Sequence, residues 1–353
     1  MPKAFRPPLD HLVTLSDDTG IIQHALFDVP NRSTGYCTDD VSRALMVVIG
    51  RLRAEPDNRT AHRLATIYLA FLQAAQMTDG WFHNFMGFER SWLDERGTQD
   101  AFGRAVWSLG YGARYAPRES WRNVCARLFG EAVPRLGELA HLRSTAYAIL
   151  GVAHASESGH VPAEVCQPAM RRLSEELKAA YQRHRALDWL WFEDLMTYDN
   201  ARLCEAALRA GDVLGDDQLA QIGLESFAFY RSIVLERDIF VPIGNQGWYP
   251  RGGKRAIYGQ QPLEAAALID AALAAYDRTG QATFLATAKA AWEWFYGRNT
   301  DRATLAEGGG CHDGIDAAGV NANMGAESTV AYLSAASALC EAENVLASNV
   351  DSQ

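Results

Sequence analysis

The sequence has few cysteines, and none of them form a paired motif. The six cysteines are scattered from Cys37 to Cys340 without a CxxC pair. Scattered single cysteines are typical of a reducing compartment, so we expect free thiols and a cytoplasmic protein. The nine histidines form no HExxH or Cys/His cluster. We therefore expect neither a metal site nor another cofactor.

Several other familiar signals are also missing. No apolar run approaches the roughly 18 residues of a membrane span, and the first residues lack the apolar stretch of a signal peptide. The chain has no Lys/Arg-rich run and carries a formal net charge of −10, which disfavours nucleic acid and anionic membranes as partners. Neither a GK[ST] phosphate loop nor a G-x-S-x-G nucleophile motif is present, so these absences also argue against P-loop chemistry and a serine nucleophile.

The sequence does contain a degenerate repeat of helix starts. A T-x-D step precedes an Ala/Leu-rich stretch at Thr38, Thr98 and Thr197, and weaker copies begin at 143, 259 and 325. Successive starts lie 45 to 66 residues apart. A structural unit repeated at such spacing indicates helix pairs that stack on one another and share one core.

The stretches after these starts show little charge on any face, which predicts six buried inner helices. Five amphipathic stretches are predicted to pack outside them, at 61–76, 119–133, 162–184, 216–236 and 283–298. The sequence does not decide whether 1–17 supplies a sixth outer helix. Inner-to-outer connections are short and outer-to-inner connections are long, which gathers the long loops on one rim. We predict an all-α (α/α)6 barrel, a six-hairpin toroid, with 1–353 as one domain.

Polar residues recur at the helix starts, where capping and the helix dipole explain each of them singly. Carboxylates crowded at one mouth would also perturb one another, as acid/base sites require. We predict inverting catalysis by two carboxylates about 6.5–9.5 Å apart. Glu193, beside Trp191 and Phe192, suits the acid, and Asp199 or Glu327 suits the base. The catalytic candidates are Glu193, Asp199, Asp100, Glu264 and Glu327.

The long loops are rich in aromatic residues, whose flat apolar faces match the faces of sugar rings. Packing of the loops onto the barrel is the alternative for any single ring. Together with nearby polar groups, these rings favour a glycan cleft, in which His312 could also act as an acid or base. The predicted substrate-binding residues are His24, Asp39, Asp40, Arg43, Trp81, His83, Asp194, Trp191, Trp248, Arg251, Gln261, His312, Asp313 and Asn321.

Four stretches resemble a bacterial family of (α/α)6 domains whose members occur alone or joined to glycosyltransferases. They are DDTGIIQHALFDVPNRSTGYCTDDVSRAL, TYDNARLCEAAL, YGQQPLEAAAL and GVNANMGAESTVAYL, and the resemblance covers roughly 18–343. It implies the fold of the six-hairpin glycosidase superfamily, which contains inverting glycosidases, unsaturated-uronide hydrolases and sugar epimerases. It also implies a sugar or oligosaccharide ligand and a possible functional association with a glycosyltransferase.

Three functions therefore remain open. The first is a glycoside hydrolase acting on an oligosaccharide, and mannose-containing oligosaccharides are among the candidate substrates. The second is a non-catalytic carbohydrate-binding or accessory protein for a glycosyltransferase. The third is a sugar epimerase or isomerase. This function would require histidines that face each other across the barrel, whereas the predicted inner helices contribute only His154. A pocket whose carboxylates all pair with arginine would favour binding over catalysis.

Overall fold

The computed structural model describes residues 5–351, and its helices alternate between two layers. In chain order they are α1 (Asp10–Leu15), α2 (Thr38–Ala54), α3 (Arg59–Ala75), α4 (Gln99–Tyr115), α5 (Glu119–Ala132), α6 (Leu142–Ser156), α7 (Ala163–His184), α8 (Ala201–Leu214), α9 (Asp217–Val234), α10 (Pro262–Thr279), α11 (Ala282–Trp294) and α12 (Ala326–Asp351). Two short 3-10 helices cover Arg32–Thr34 and Val133–Glu138.

The even-numbered helices form the inner layer. Each contacts the next even-numbered helix, and α12 returns to contact α2, so they close a ring. Each of α3, α5, α7, α9 and α11 packs on the helix before it, and α1 packs on α12. The predicted (α/α)6 barrel is confirmed, and the short helix α1 occupies the position of the sixth outer helix.

The inner helices begin close to the predicted positions, with one informative exception. Helix α8 begins at Ala201, four residues after Thr197, the residue predicted to start it. Asp199 adopts a left-handed backbone conformation with φ of 50°, which a helix interior does not allow. Helix α10 begins at Pro262, a favourable first position because proline lacks the amide hydrogen that would go unused there.

All the long loops lie at the end of the barrel where the inner helices begin, which we call the loop rim. They contain short antiparallel strands: β1 (Ala25–Leu26), β2 (Val29–Pro30), β3 (Tyr36–Cys37), β4 (Phe85–Met86), β5 (Leu195–Met196), β6 (Leu235–Glu236), β7 (Ile239–Phe240), β8 (Tyr249–Pro250), β9 (Ala306–Glu307), β10 (Gly310–Cys311), β11 (Gly314–Asp316) and β12 (Gly319–Asn321). The pairs β3–β4 and β5–β8 join different loops, which fixes neighbouring loops to one another.

Small residues let the inner helices α4 and α6 approach each other closely. A Cβ atom added to Gly110 would lie 2.0 Å from the carbonyl oxygen of Gly151, and one added to Gly103 would lie 2.7 Å from the carbonyl oxygen of Ser144. Real Cβ atoms cannot come so near a backbone oxygen, so these positions exclude any larger residue. The tight contact of α4 with α6 helps keep the barrel bore narrow.

The inner helices are not free of charge, which corrects the expectation from their composition. The side chains of four arginines enter the ring interior, and each residue is less than a tenth exposed: Arg43, Arg104, Arg143 and Arg202. Each of these four helices has one such arginine near its start, and one charged residue changes little in a stretch of small apolar residues, so the pattern did not reveal them. A buried guanidinium needs a carboxylate partner, so the same ring must also bury acids.

Two further features of the structure concern the cysteines and the length of the apolar helices. All six cysteines are buried and free. Burial raises the pKa of the Cys204 thiol to about 12, so this thiol stays protonated and unreactive at neutral pH. Across residues 5–351, no helix is both long and apolar enough to cross a bilayer.

Candidate functional site

The start of α2 brings three acids to one arginine at the loop rim. Nη2 of Arg43 lies 2.6 Å from Oδ1 of Asp39, 2.8 Å from Oδ1 of Asp40 and 3.1 Å from Oε2 of Glu327 on α12. Burial raises the pKa of Asp40 to about 6, with Asp39 and Glu327 adding to the rise and Arg43 opposing it. Three carboxylates around one guanidinium make this part of the rim acidic, and each of the three is paired with Arg43.

A second arginine, Arg104, ties α4 to the neighbouring inner helices. Its Nε lies 3.1 Å from Asp39, and its Nη2 lies 3.0 Å from Oδ2 of Asp199. Burial opposes ionisation of Asp39, but Arg104 and Arg43 hold its pKa below the ordinary value. The same Oδ2 of Asp199 accepts a hydrogen bond from the Tyr147 hydroxyl at 2.7 Å.

Asp199, the predicted catalytic base, is buried within this arrangement. The residue is 1% exposed, and Arg202 adds a further contact at 3.6 Å. Two arginines and a tyrosine thus engage its carboxylate, which connects α4, α6 and α8. Its catalytic role stays a prediction.

Glu264 is also buried, but it has a different set of partners. It accepts hydrogen bonds from the backbone amide of Asp199, from the Tyr230 hydroxyl at 3.1 Å and from Nδ2 of Asn200 at 3.5 Å. Burial raises its pKa to about 7, and the nearby Asp199 carboxylate adds to the rise. At 1% exposure, the Glu264 carboxyl is enclosed by these partners, and its catalytic role stays a prediction.

Asp100 and Glu193 lie nearer the surface, and both are engaged. Asp100 accepts hydrogen bonds from Ser144 Oγ at 2.5 Å and from the Tyr198 hydroxyl. Glu193 forms a salt bridge with Arg143, and its side chain is 30% exposed. The apolar surroundings predicted for Glu193 are absent, because its neighbours Trp191 and Phe192 turn into the core while Glu193 reaches an arginine.

A polar cavity of about 190 Å³ opens at the loop rim between α10, α12 and the loops that precede them. Asp313 supports its wall, since Oδ1 accepts hydrogen bonds from the Gly325 amide at 2.8 Å and from Ser328 Oγ at 2.7 Å. Glu327 forms part of the same wall with a side chain 41% exposed. The polar lining consists of Gln23, His24, Asn245, Gln260, Gln261, Asp313, Asp316, Asn321, Glu327 and Ser328.

Five of the predicted residues meet in this cavity, and five polar lining residues were not predicted. The predicted ones are His24, Gln261, Asp313, Asn321 and Glu327. Those missed are Gln23, Asn245, Gln260, Asp316 and Ser328. Gln23, Gln260 and Ser328 directly adjoin predicted residues in the sequence, so extending each candidate by one position would have found them. Asn245 and Asp316 carry no such signal, since the fold of two loops brings them to the wall.

Two of the predicted sugar-binding tryptophans are core residues. Trp191 is fully buried and stacks on Tyr230 with ring centroids 5.6 Å apart. Trp81 is 3% exposed and lies between the Phe102 ring, 4.1 Å away, and the guanidinium of Arg96, 4.0 Å away. Neither ring has a free face, so packing of the loops explains both.

The other predicted binding residues lie outside the cavity wall. His83 stacks on Trp92 and hydrogen-bonds the Asp94 carbonyl at 2.9 Å, while His312 contacts the carbonyl of Ala322 at 3.2 Å. A last group consists of the exposed pair Arg251 and Asp194, 3.4 Å apart, and the half-buried Trp248 beside Tyr198. The cavity is therefore narrower than the predicted cleft.

The comparisons with known proteins bear on the fold. No protein-family model matches the chain, and no curated protein matches it. Among solved structures, a sugar epimerase from a ruminal bacterium is 14% identical, with a TM-score of 0.71 over 93% of this chain and 94% of that one. Cellobiose 2-epimerase from Bacillus thermoamylovorans is 12% identical, with a TM-score of 0.72 over 94% of this chain and 95% of that one.

A glycoside hydrolase family 76 alpha-mannanase from Bacteroides thetaiotaomicron is also similar. It is 9% identical, with a TM-score of 0.65 over 96% of this chain and 95% of that one. Likeness at such low identity shows the shared (α/α)6 barrel, while different chemistries occur on one fold.

Proposed function

We propose that this chain is a single-domain carbohydrate-active protein that binds an oligosaccharide in the loop-rim cavity. One observation carries the proposal: the amides of Gln23, Asn245, Gln261 and Asn321 line the cavity beside exposed carboxylate surface. Each sugar hydroxyl both donates and accepts hydrogen bonds, and amide side chains offer both functions. The similar structures named as epimerases and as a mannanase support a sugar ligand.

The charges of the rim favour a neutral ligand. The two buried rim arginines Arg43 and Arg104 are already engaged by carboxylates, so neither offers an unpaired guanidinium to a phosphate or carboxylate group. The carboxylates that line the cavity also have partners: Glu327 pairs with Arg43, Asp313 accepts hydrogen bonds from Gly325 and Ser328, and Asp316 accepts one from Gln246. These partners favour binding over acid/base chemistry. A sugar whose hydroxyls replace water in the cavity meets these conditions.

Gln261 gives the sharpest test of binding, because its side chain makes no capping bond at the start of α10. Gln261→Ala should weaken binding about 2- to 10-fold, the value of one lost hydrogen bond, without lowering the melting temperature. Binding would be measured by calorimetry on mannose- and glucose-based oligosaccharides selected from a glycan array. Gln218→Ala, an exposed position on α9, is the matched control.

Two results would contradict the binding proposal. One is the absence of any oligosaccharide that binds. The other is an equal effect of Gln218→Ala and Gln261→Ala on affinity, which would place the sugar away from the cavity.

Inverting hydrolysis of the bound glycan is the second candidate function, and the exposure of Glu327 favours it. Of the five predicted catalytic acids, Glu327 is the one that lines the cavity. As the base, it would take a proton from water while the oxygen of that water bonds to the anomeric carbon, and the leaving sugar oxygen would take a proton from an acid. An epimerase would need imidazoles on both faces of the sugar, and the described cavity wall has His24 alone.

Sugar release separates this second candidate from binding alone. Wild-type protein would be incubated with each glycan that binds, and released reducing sugar would be measured together with the anomer of the first-formed product by proton NMR. Glu327→Gln should abolish release. No sugar release from wild type contradicts the hydrolase assignment, a retained anomer contradicts inversion, and full activity in Glu327→Gln contradicts the role of Glu327 as the base. The binding result stands in each case. Association with a glycosyltransferase stays a proposal that rests on sequence resemblance.

A further inference from the structure

A second cavity, of about 650 Å³, opens at the end of the barrel opposite the loop rim. All six inner helices line it, mostly with residues from their middle and C-terminal turns, and none of its lining residues belongs to the loop-rim cavity. Its walls include aromatic rings spaced along α4, namely Trp107, Tyr111 and Tyr115. Cavities of this size hold small organic ligands, typically against aromatic walls with a few charged groups.

The mouth of this cavity is balanced in charge. Each of its three arginines has a carboxylate of its own, and the pairs are Arg53 with Glu341, Arg114 with Glu157, and Arg209 with Asp277. His154 lies among these arginines. Burial, and then the positive charges of the arginines, lower its pKa to about 3, so the imidazole is neutral and adds no charge.

The inner end of the cavity is different, because two carboxylates share one guanidinium. Nη1 of Arg202 lies 2.6 Å from Glu205 and 2.7 Å from Asp270, while its Nε also approaches Asp199 at 3.6 Å. The guanidinium lies over the Trp107 ring, 4.7 Å from its centroid. Glu205 and Asp270 both line the cavity, so when both are ionised its inner end carries one negative charge more than Arg202 balances.

The surplus charge has a visible consequence for Glu205. Burial raises its pKa to about 7, and the charge of Asp270 adds to the rise although Arg202 opposes it. A buried carboxylate in this position is ionised more easily when a further cation is present. Such a cation would have to enter from the cavity, since Arg202 fills the opposite side.

We propose that the second cavity binds a small organic cation that has one ammonium group and an apolar or aromatic body. The ammonium lies at Asp270 and Glu205, where it supplies the missing charge. The body packs against the tyrosine and tryptophan rings of α4, whose faces attract cations as well as apolar groups. The balanced ion pairs at the mouth select against ligands of high net charge.

Benzylamine and its uncharged counterpart benzyl alcohol test the proposal on the full-length protein by calorimetry. We expect wild-type protein to bind benzylamine at least about tenfold more tightly than benzyl alcohol. Asp270→Asn removes the surplus charge and leaves Arg202 with one cavity carboxylate, so it should weaken benzylamine binding by about tenfold or more. Asp217→Asn, at an exposed acid of α9 that pairs with Arg278 outside the cavity lining, is the control and should leave the affinity nearly unchanged.

The results that overturn the proposal are distinct. They are no benzylamine binding, equal affinity for the amine and the alcohol, or equal losses in Asp270→Asn and Asp217→Asn, which would indicate a general effect of negative charge. If Asp270→Asn does not fold, Ala338→Phe fills the cavity from α12 without changing a charge. This variant must then block benzylamine, and unchanged affinity in it refutes the site.

Discussion

Replacing Asp199 with asparagine distinguishes a residue that stabilises the barrel from one that contacts a ligand. The carboxylate is 2% exposed at its side chain and lies between Arg104 and Arg202. Breaking a buried ion pair by removing one partner costs about 3–5 kcal/mol. Two features place Asp199 at the low end: Arg104 keeps its contact with Asp39, and the repulsion that raises the pKa of Glu264 is relieved. We expect a loss of about 3 kcal/mol.

Urea unfolding followed by circular dichroism measures this loss as a change in the free energy of unfolding. Asp277→Asn is the control, because Asp277 pairs with Arg209 at the surface with a side chain 56% exposed. Exposed pairs contribute under about 1 kcal/mol, so the two variants should differ clearly. If Asp199→Asn unfolds at the same urea concentration as wild type but no longer binds sugar, the assignment of Asp199 to the barrel interior is wrong.

Three further predictions follow from burial and packing. Burial raises the pKa of Glu264 from 4.5 to about 7, so between these pH values the folded protein keeps a proton on Glu264 that the unfolded chain loses. In urea titrations, wild type should therefore lose stability relative to Glu264→Gln as the pH rises from about 4.5 to about 7, with no further change above that. Gly110→Ala should lower the free energy of unfolding by about 1–3 kcal/mol, because its Cβ meets the Gly151 carbonyl. Gly130→Ala, in open space on α5, should instead raise it by about 0.5–1 kcal/mol. Trp191→Ala should lower the free energy of unfolding by about 3–5 kcal/mol, the cost of a large core truncation, with little change in sugar affinity measured below the unfolding transition.

Each of these has a result that contradicts it. A stability difference between wild type and Glu264→Gln that does not change with pH would mean that the carboxyl titrates as in the unfolded chain. Equal melting of Gly110→Ala and Gly130→Ala would remove the close helix contact. Loss of sugar binding without loss of stability in Trp191→Ala would return that ring to the ligand site.

The sequence predicts the barrel well because its signal is local. Small apolar residues after a capping step define a buried helix, and Thr98 does cap α4 through a hydrogen bond from the Ala101 amide at 3.2 Å. The third start shows the limit of the pattern. Thr197 belongs to the same T-x-D step, yet the left-handed turn at Asp199 delays α8, because that turn brings the Asp199 carboxylate to Arg104.

The candidate site is less predictable because its residues meet through loop pairing. Gln260 and Ile315 pair as an isolated antiparallel bridge, which places the loop before α10 beside the loop before α12. The cavity lies between these loops, and Asn245 reaches it from a third position in the sequence. The aromatic residues of the loops were poor predictors of the ligand site for a related reason. Composition does not show which way a ring turns, and Trp191 turns into the core.

Arg104, Tyr147, Asp199 and Arg202 together form a layer across the middle of the bore. Hydrogen bonds and ion pairs connect them, Arg104 and Tyr147 through Asp199, and Asp199 in turn to Arg202. The loop-rim cavity and the second cavity share no lining residue, so a substitution in the wall of one leaves the wall of the other unchanged. Each end of the barrel can therefore change its ligand separately while the shared layer holds the ring of inner helices together.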